Sequence, residues 1–274
     1  MLFIIKVIDK NFKEVYNLFG EKEVSMADTV EVNIQDYIDL YNRGISLDRI
    51  KPLTNQTYRL FRSSMNKVDI RIVHRNETYK NAKAFEKMKF FTKIADYFYM
   101  IPVTTIKGTI VGFILRSVTG KSSYNTVSRN FKSYETQVPL MFGFNKDFLN
   151  YDKDYSKKNK CYPIIVCEGT KDCLMLKKLY PYVLANNTSS LGLNAQILRN
   201  ISDSFLLAYD NDKAGQEGMK KDKSILRALG AYVDSVNLHE GFKDCADYMG
   251  HPNEFRELSV QIKRKLNNLY KIRN

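Results

Sequence analysis

The second half of the chain alternates short apolar runs with longer amphipathic ones. The run from Pro163 to Cys167 has no polar position, which is typical of a strand buried on both faces. Further apolar runs predict strands over 182–185, 204–209 and 232–238, and amphipathic stretches predict helices over 172–180, 195–200, 214–229 and 253–274. Strands alternating with helices through short connections predict an α/β domain, with a mostly parallel sheet flanked by helices.

The first half is patterned differently, and a mixed α+β organisation is expected there. Residues 32–50 and 82–97 carry apolar positions at helix spacing. Residues 99–103 and 109–115 predict two strands, and the turn sequence between them predicts a β-hairpin. Residues 150–160 are polar, charged and without apolar periodicity, so they mark the clearest domain boundary.

The net charge adds evidence about the partner. The 274-residue chain carries 43 Lys and Arg against 30 Asp and Glu, a net charge of +13. Such an excess favours a nucleic-acid partner, since each neutralised phosphate releases counterions; a basic surface without function is the alternative. No run approaches the roughly 20 apolar residues of a membrane span, and the opening MLFIIKVIDK predicts a strand rather than a signal peptide. The spacing of the four cysteines favours reduced thiols, so a cytoplasmic location without membrane association is expected.

Acidic residues follow three of the predicted strands of the second half. Glu168 follows the first strand, Asp210 and Asp212 follow the third, and Asp244 and Asp247 lie in the loop after the fourth. Because the carboxyl ends of parallel strands meet at one edge of a sheet, these side chains are expected to lie close together. Carboxylates at close range repel one another, so the pattern favours bound Mg²⁺ or Mn²⁺, ions suited to displacement at phosphorus.

Each of these features also has a structural explanation. A Glu-Gly pair after a strand is commonly a turn, and a Lys-Asp pair in a loop means little by itself. Asp212 stands just before the helix predicted to begin near Ala214, so it is also suited to cap the N-terminus of that helix. The order of the three segments, at three predicted strand ends, favours a catalytic metal site over these structural explanations.

That order resembles the Toprim domain of DnaG-type primases. Residues 166–172 (VCEGTKD), 208–215 (AYDNDKAG) and 241–244 (GFKD) resemble its three motifs, and residues 187–191 stand where the primases carry a Gly- and Thr-rich loop. The resemblance spans about residues 162–250. It implies that the catalytic residues are Glu168, Asp210 and Asp212. The metal ligands that it implies, for Mg²⁺ or Mn²⁺, are Glu168, Asp172, Asp210, Asp212 and Asp244. Where primases often carry a further acid this chain has Ala246, and the role of Asp247 is left open.

The predicted hairpin resembles that of the primase polymerase core, which ends in an arginine and is followed by a lysine. By this resemblance, Arg116 and Lys132 line a basic channel for template and nucleotide phosphates. Lys171 and Lys213, beside the acidic motifs, are assigned the same role.

The resemblance implies a minimal primase core, of the kind some phages encode, acting in the host cytoplasm if phage-encoded. Its expected activity is the synthesis of RNA primers from ribonucleoside triphosphates on single-stranded DNA, with a replicative helicase as partner. The alternatives are a Toprim nuclease and a non-catalytic Toprim protein that binds single strands; a topoisomerase is disfavoured. The predicted domains are residues 1–98, a basic N-terminal region; 99–150, the primase-core hairpin segment; 160–252, the Toprim domain; and 253–274, a basic helix.

Overall fold

The computed structural model describes residues 34–49, 56–64, 69–74, 97–104, 108–117, 123–125, 141–144, 148, 162–192 and 194–273. All of them lie in one compact unit, residues 32–274. The strand expected over residues 1–10, the helix over 82–96, the polar segment 150–160 and Lys132 lie outside the described residues. Within the described part, no helix combines the length and the apolar character needed to cross a membrane.

An antiparallel sheet organises the first half. Its five strands, in chain order, are β1 (Ile45–Ser46), β2 (Arg71–His74), β3 (Tyr97–Thr104), β4 (Ile110–Ser117) and β5 (Ser123–Asn125). The two helices described in this half are α1 (Ile34–Asn42) and α2 (Gln56–Ser64).

The predicted hairpin is confirmed, because β3 and β4 pair antiparallel with Met100 opposite Leu115. The sequence interpretation was wrong at Tyr97, which begins β3 instead of ending a helix. Ser123, which no sequence pattern placed in a strand, pairs with Arg116 in the sheet. β5 has no apolar alternation of its own, so its pairing with β4 defines it.

A four-stranded parallel sheet organises the second half. Its strands are β6 (Ile164–Cys167), β7 (Val183–Ala185), β8 (Ser204–Ala208) and β9 (Tyr232–Ser235), in the spatial order β7-β6-β8-β9. The helices are α3 (Thr170–Leu176), α4 (Asn194–Ile201), α5 (Lys213–Ala228) and α6 (Pro252–Arg273). The predicted α/β class, with a parallel sheet flanked by helices, is therefore confirmed.

The largest difference in bounds is at β9, which ends at Ser235 although its apolar pattern continues to Leu238. The side chain of Gln261, on α6, explains the early end. It accepts a hydrogen bond from Asn237 N (2.8 Å) and donates one to Asn237 O (3.0 Å). The backbone groups of Asn237 are thereby satisfied without a neighbouring strand.

The apolar core joins the two sheets. Every residue of β6 and β8 is buried, as expected for strands covered on both faces. Ile165 and Leu206, on one face of the parallel sheet, belong to the same buried cluster as Tyr99 and Ile101 of β3. Helix α2 packs against α3 across this cluster. The antiparallel sheet is thus fixed beside the elements that carry the acidic motifs.

Candidate active site

The acidic motifs meet where the strand order reverses. From β6 the chain goes first to β7 on one side and then to β8 on the other, so β6 and β8 are neighbours with divergent connections. Ligands of parallel α/β sheets bind at the carboxyl end of such a pair of strands. Glu168 directly follows β6, and Asp210 lies two residues beyond the end of β8. The expectation that these two acids converge is confirmed.

A hydrogen bond and a glycine fix this pair. Glu168 Oε1 accepts from the backbone N–H of Asp210 at 3.1 Å. A Cβ on Gly215, in the first turn of α5, would lie 2.6 Å from Glu168 Oε1 and would overlap the carbonyl oxygen of Asp210. The helix therefore approaches both acids as closely as its backbone permits. This explains in physical terms why a glycine stands in the second motif.

Asp212 caps a helix, as its sequence position allowed, and also forms an ion pair. Its Oδ1 accepts from Gly215 N at 2.9 Å, which caps α5. Its Oδ2 lies 3.2 Å from Lys243 Nζ, and the same ammonium lies 3.8 Å from Asp210 Oδ2. A cation thus stands between the two aspartates of the second motif.

The third motif lies in a loop that the side chain of Asp247 stabilises through hydrogen bonds. Asp244 caps the short 3-10 helix Cys245–Tyr248 by accepting from Asp247 N at 2.9 Å. In return, Asp247 Oδ2 accepts from the N–H of Lys243 (2.8 Å) and of Asp244 (3.3 Å). Asp247 is therefore engaged in holding this loop. The carbonyl of Lys243 accepts from Asn211 N at 2.6 Å, which ties the loop to the second motif.

Asp172 links the first motif to the third. It is buried on the first turn of α3, and its Oδ1 accepts from Ala246 N at 2.9 Å. A Cβ on Gly169 would lie 2.5 Å from Asp172 Oδ2, so the glycine leaves room for this carboxylate. The side chain implied as a metal ligand is thus also a brace between two motifs.

Burial, with help from neighbouring carboxylates, raises the pKa values of Glu168, Asp172 and Asp210. Burial, followed by the nearby charges of Glu168 and Asp244, raises the pKa of Asp210 to about 7. Burial, followed by Asp244 and Asp210, raises the pKa of Asp172 to about 8. The pKa of Glu168 is also raised, mainly by burial. Asp212 is the exception, because the N–H of Gly215 and the ammonium of Lys243 lower its pKa. The cluster as a whole favours bound positive charge.

Arg116, one of the basic residues implied by the resemblance, belongs to the antiparallel sheet. It stands near the end of β4 and is partly buried. Burial lowers its pKa, while the charges of Asp172 and Asp244 act in the opposite direction, so the guanidinium lies within range of both carboxylates. Lys171 is on the first turn of α3, and its charge lowers the pKa of Asp172. Lys213 begins α5 and is exposed.

Sequence reasoning missed Lys243 as a member of the site. It was visible as part of the third motif, but a lysine in a loop carries no signal of what it faces. The pairing of its ammonium with Asp212 becomes evident from the backbone bond that joins its loop to Asn211.

The raised pKa of Asp172 predicts that the protein without divalent metal loses stability as pH rises. An unfolded aspartate ionises near 3.8, whereas the folded carboxyl keeps its proton to about 8. Between these values the folded state binds the additional proton, so the free energy of unfolding falls, by at most about 1.4 kcal/mol per pH unit for this group. Urea unfolding with a chelator at pH 5 and pH 8 should show a smaller loss for Asp172→Asn than for the unchanged protein. Equal losses would contradict this ionisation.

Comparison with known proteins agrees with this geometry. Residues 165–249 match the family model described as Toprim-like. A DNA primase of Clostridium acetobutylicum is 27% identical over 148 residues, which cover 52% of this chain and 23% of the relative. The match therefore spans less than a quarter of the length of that curated relative.

Solved primase structures share the fold. The DnaG primase catalytic domain bound to ssDNA has a TM-score of 0.60 at 14% identity, and the match covers 84% of this chain and 78% of that one. The RNA polymerase domain of Mycobacterium tuberculosis primase DnaG has a TM-score of 0.54 at 15% identity, covering 84% of this chain and 81% of that one. The chain thus contains a Toprim domain and has the mixed α/β fold of DnaG-type primase cores, as its motifs predicted.

Proposed function

We propose that this chain is the catalytic core of a DNA primase, which joins ribonucleotides into short primers on a single-stranded DNA template. The observation that carries the proposal is the position of Arg116. This cation comes from the antiparallel sheet, yet lies within electrostatic range of Asp172 and Asp244 of the Toprim domain. A basic group from one sheet facing acids from the other suits a substrate with a triphosphate, whose charge requires cations on more than one side.

The acidic cluster fits a divalent metal. The ammonium of Lys243 already stands between Asp210 and Asp212 as a positive charge. Among the described residues, no three acidic, His or Cys side chains form a ready ligand set, and Mg²⁺ is commonly held by one or two carboxylates with phosphate oxygens and water. We infer that the ligands of Mg²⁺ or Mn²⁺ come from the set Glu168, Asp172, Asp210, Asp212 and Asp244. When bound, the metal would neutralise the charge that develops on the transferred phosphoryl group.

The reaction assigned to the site is nucleotidyl transfer. A ribose 3′-hydroxyl attacks the α-phosphorus of a nucleoside triphosphate, a new P–O bond forms, and the bond to the β-phosphate breaks with release of pyrophosphate. Glu168 is the carboxylate assigned to receive the hydroxyl proton; burial raises its pKa, which makes it a stronger base than an ordinary glutamate. Arg116 and Lys171 neutralise the phosphates, and Lys213 and Lys132 contribute to the same basic channel.

The proposed partners follow from this activity. The net charge of +13 favours a polyanionic template, since counterion release accompanies each phosphate contact. A replicative helicase, which would supply the single strand, is the expected protein partner. A Toprim nuclease would use the same acids, but it gives no reason for a cation from the antiparallel sheet to face them.

Incubation with single-stranded DNA, labelled ribonucleotides and Mg²⁺ or Mn²⁺ tests the proposal. Short RNA products that depend on metal and on template are expected, and helicase should raise their yield. If the template is shortened and no primers form, even with helicase present, the protein is a nuclease and the primase assignment is wrong.

Loss of Arg116 should weaken nucleotide use more than catalysis. Arg116→Ala removes a partly buried charge on which the charges of Asp172 and Asp244 act, and which we assign to the nucleotide phosphates, so the KM for ribonucleotides should rise about tenfold or more. Initial rates of primer synthesis at varied nucleotide concentration measure this effect. Arg264→Ala, at an exposed position on α6, serves as the matched control and should leave KM unchanged. An unchanged KM in Arg116→Ala would show that this residue does not bind the nucleotide phosphates.

A further inference from the structure

The loop between β7 and α4 is attached to the first motif. The N–H of Asn187 donates to the carbonyl oxygen of Glu168 at 2.7 Å, and the hydroxyl of Thr170 donates to Asn187 Oδ1 at 3.0 Å. Asn187 has a φ of 58°, a left-handed conformation that asparagine tolerates better than most residues. The backbone of Glu168 is therefore held on one side by this loop.

The same loop is held from its other side by Asp222. This aspartate, on α5, is fully buried, with 0% of its surface exposed. Its Oδ1 accepts from the hydroxyl of Ser190 (2.9 Å), and its Oδ2 accepts from Leu191 N (2.8 Å) and from the hydroxyl of Tyr209 (2.6 Å). Tyr209 directly precedes Asp210. One carboxylate thus joins the loop to the strand end that carries the second motif.

Close backbone packing leaves this connection little freedom. Gly218 lies one turn before Asp222 on α5, and a Cβ there would overlap the carbonyl oxygen of Ser189. The helix and the loop are therefore in direct backbone contact. A buried carboxylate that satisfies three donors also strongly favours one arrangement, because losing any of these hydrogen bonds leaves a polar group unpaired away from water.

We propose that Asp222 is a positioning residue, which sets Glu168 and Asp210 relative to each other through the loop on one side and Tyr209 on the other. The inference rests on the proposed function, in that these two acids belong to a metal site. Asp222 lies outside the three acidic motifs, and its neighbours Lys220, Lys221 and Lys223 give the surrounding sequence the character of a solvated helix face.

Two substitutions separate position from charge. Asp222→Asn removes the charge but keeps the contacts. Its amide oxygen takes the place of Oδ2 and accepts from Leu191 N and the Tyr209 hydroxyl, while its amide nitrogen takes the place of Oδ1 and donates to the Ser190 hydroxyl oxygen. Asp222→Ala removes all three. The dissociation constant of Mn²⁺, measured by the electron paramagnetic resonance of the free ion, should rise at least about tenfold in Asp222→Ala, as for residues that orient metal ligands. In Asp222→Asn it should change less than about threefold.

A second variant tests whether lower stability alone could explain weaker Mn²⁺ binding in Asp222→Ala. Leu226→Ala deletes a fully buried side chain one turn further along α5, so it also lowers the thermal midpoint. At a temperature where circular dichroism shows every variant folded, Leu226→Ala should bind Mn²⁺ normally. Equal affinity in Asp222→Ala and the unchanged protein would overturn the proposal, and so would an asparagine variant as weak as the alanine variant.

The same measurement separates this inference from the proposed function. A protein that binds Mn²⁺ with the predicted order of variants, yet makes no primers, refutes the primase assignment and leaves the role of Asp222 standing. A protein that binds no Mn²⁺ refutes both. Where primers form, Asp222→Ala should lower kcat at least about tenfold with little change in the nucleotide KM, because the displaced groups act on the reacting phosphate.

Discussion

Asp210→Asn should abolish metal-dependent primer synthesis, with a loss of at least about a thousandfold in rate. The ammonium of Lys243 lies 3.8 Å from this carboxylate, and burial, followed by the charges of Glu168 and Asp244, raises its pKa to about 7. An amide keeps the shape but loses the charge that binds a cation, and stabilising charge at the reacting centre is usually the largest contribution to catalysis. Primer yield per enzyme, measured over a range of Mn²⁺ concentrations, gives the size of the loss.

Binding to single-stranded DNA should survive this change, because template phosphates are held by basic groups. Fluorescence anisotropy of a labelled oligonucleotide tests that separation. Glu217→Gln is the matched control, since Glu217 is exposed on α5 close to the site and should be dispensable for both activities. Full primer synthesis by Asp210→Asn would show that the second motif does not perform the chemistry.

Gly215→Ala should inactivate the site although it adds a single methyl group. The added carbon would lie 2.6 Å from Glu168 Oε1 and would overlap the carbonyl oxygen of Asp210, so α5 or both acids must move. Such overpacking costs about 1–3 kcal/mol, partly offset by the better helix propensity of alanine, about 1 kcal/mol. The net loss of stability should therefore be about 0–2 kcal/mol, whereas primer synthesis should fall by at least about a hundredfold.

Glu217→Ala, at an exposed position two residues further along α5, is the control for an alanine that touches neither acid, and it should keep activity. Thermal unfolding and primer synthesis are recorded for both variants. If Gly215→Ala retained normal activity with a raised unfolding temperature, the glycine would be unnecessary and the close approach of the helix to Glu168 would not matter for function.

The strand ends of the Toprim domain could be predicted because a change in polarity between neighbouring residues marks them. The runs IIVC and SFLLA are almost entirely apolar, and acids stand immediately after them or nearly so. Such a change from apolar to acidic along the chain is visible without knowing the fold. The alternation of strands with helices then indicates that the carboxyl ends share one edge, which brings Glu168 and Asp210 together.

The features that the sequence could not predict depend on contacts between distant segments. The hydrogen bond from Ala246 N to Asp172 joins residues 74 positions apart, and neither segment carries a sequence signal for it. Asp222 was hidden because lysines surround it in sequence, while in the fold it turns inward to the loop. The pairing of β5 with β4 has the same character, since the neighbouring strand, and not its own pattern, makes it a strand.

The shared core of the two sheets has a consequence for how this site responds to change. Tyr99 of β3 and Ile165 of β6 belong to one buried cluster, so the sheet that carries Arg116 and the sheet that carries the acids share one apolar core. A cavity opened in that cluster, although it touches no phosphate or metal, would alter the distance between opposite charges on its two sides. The rate of the proposed reaction is therefore expected to respond to substitutions at apolar positions that make no contact with substrate.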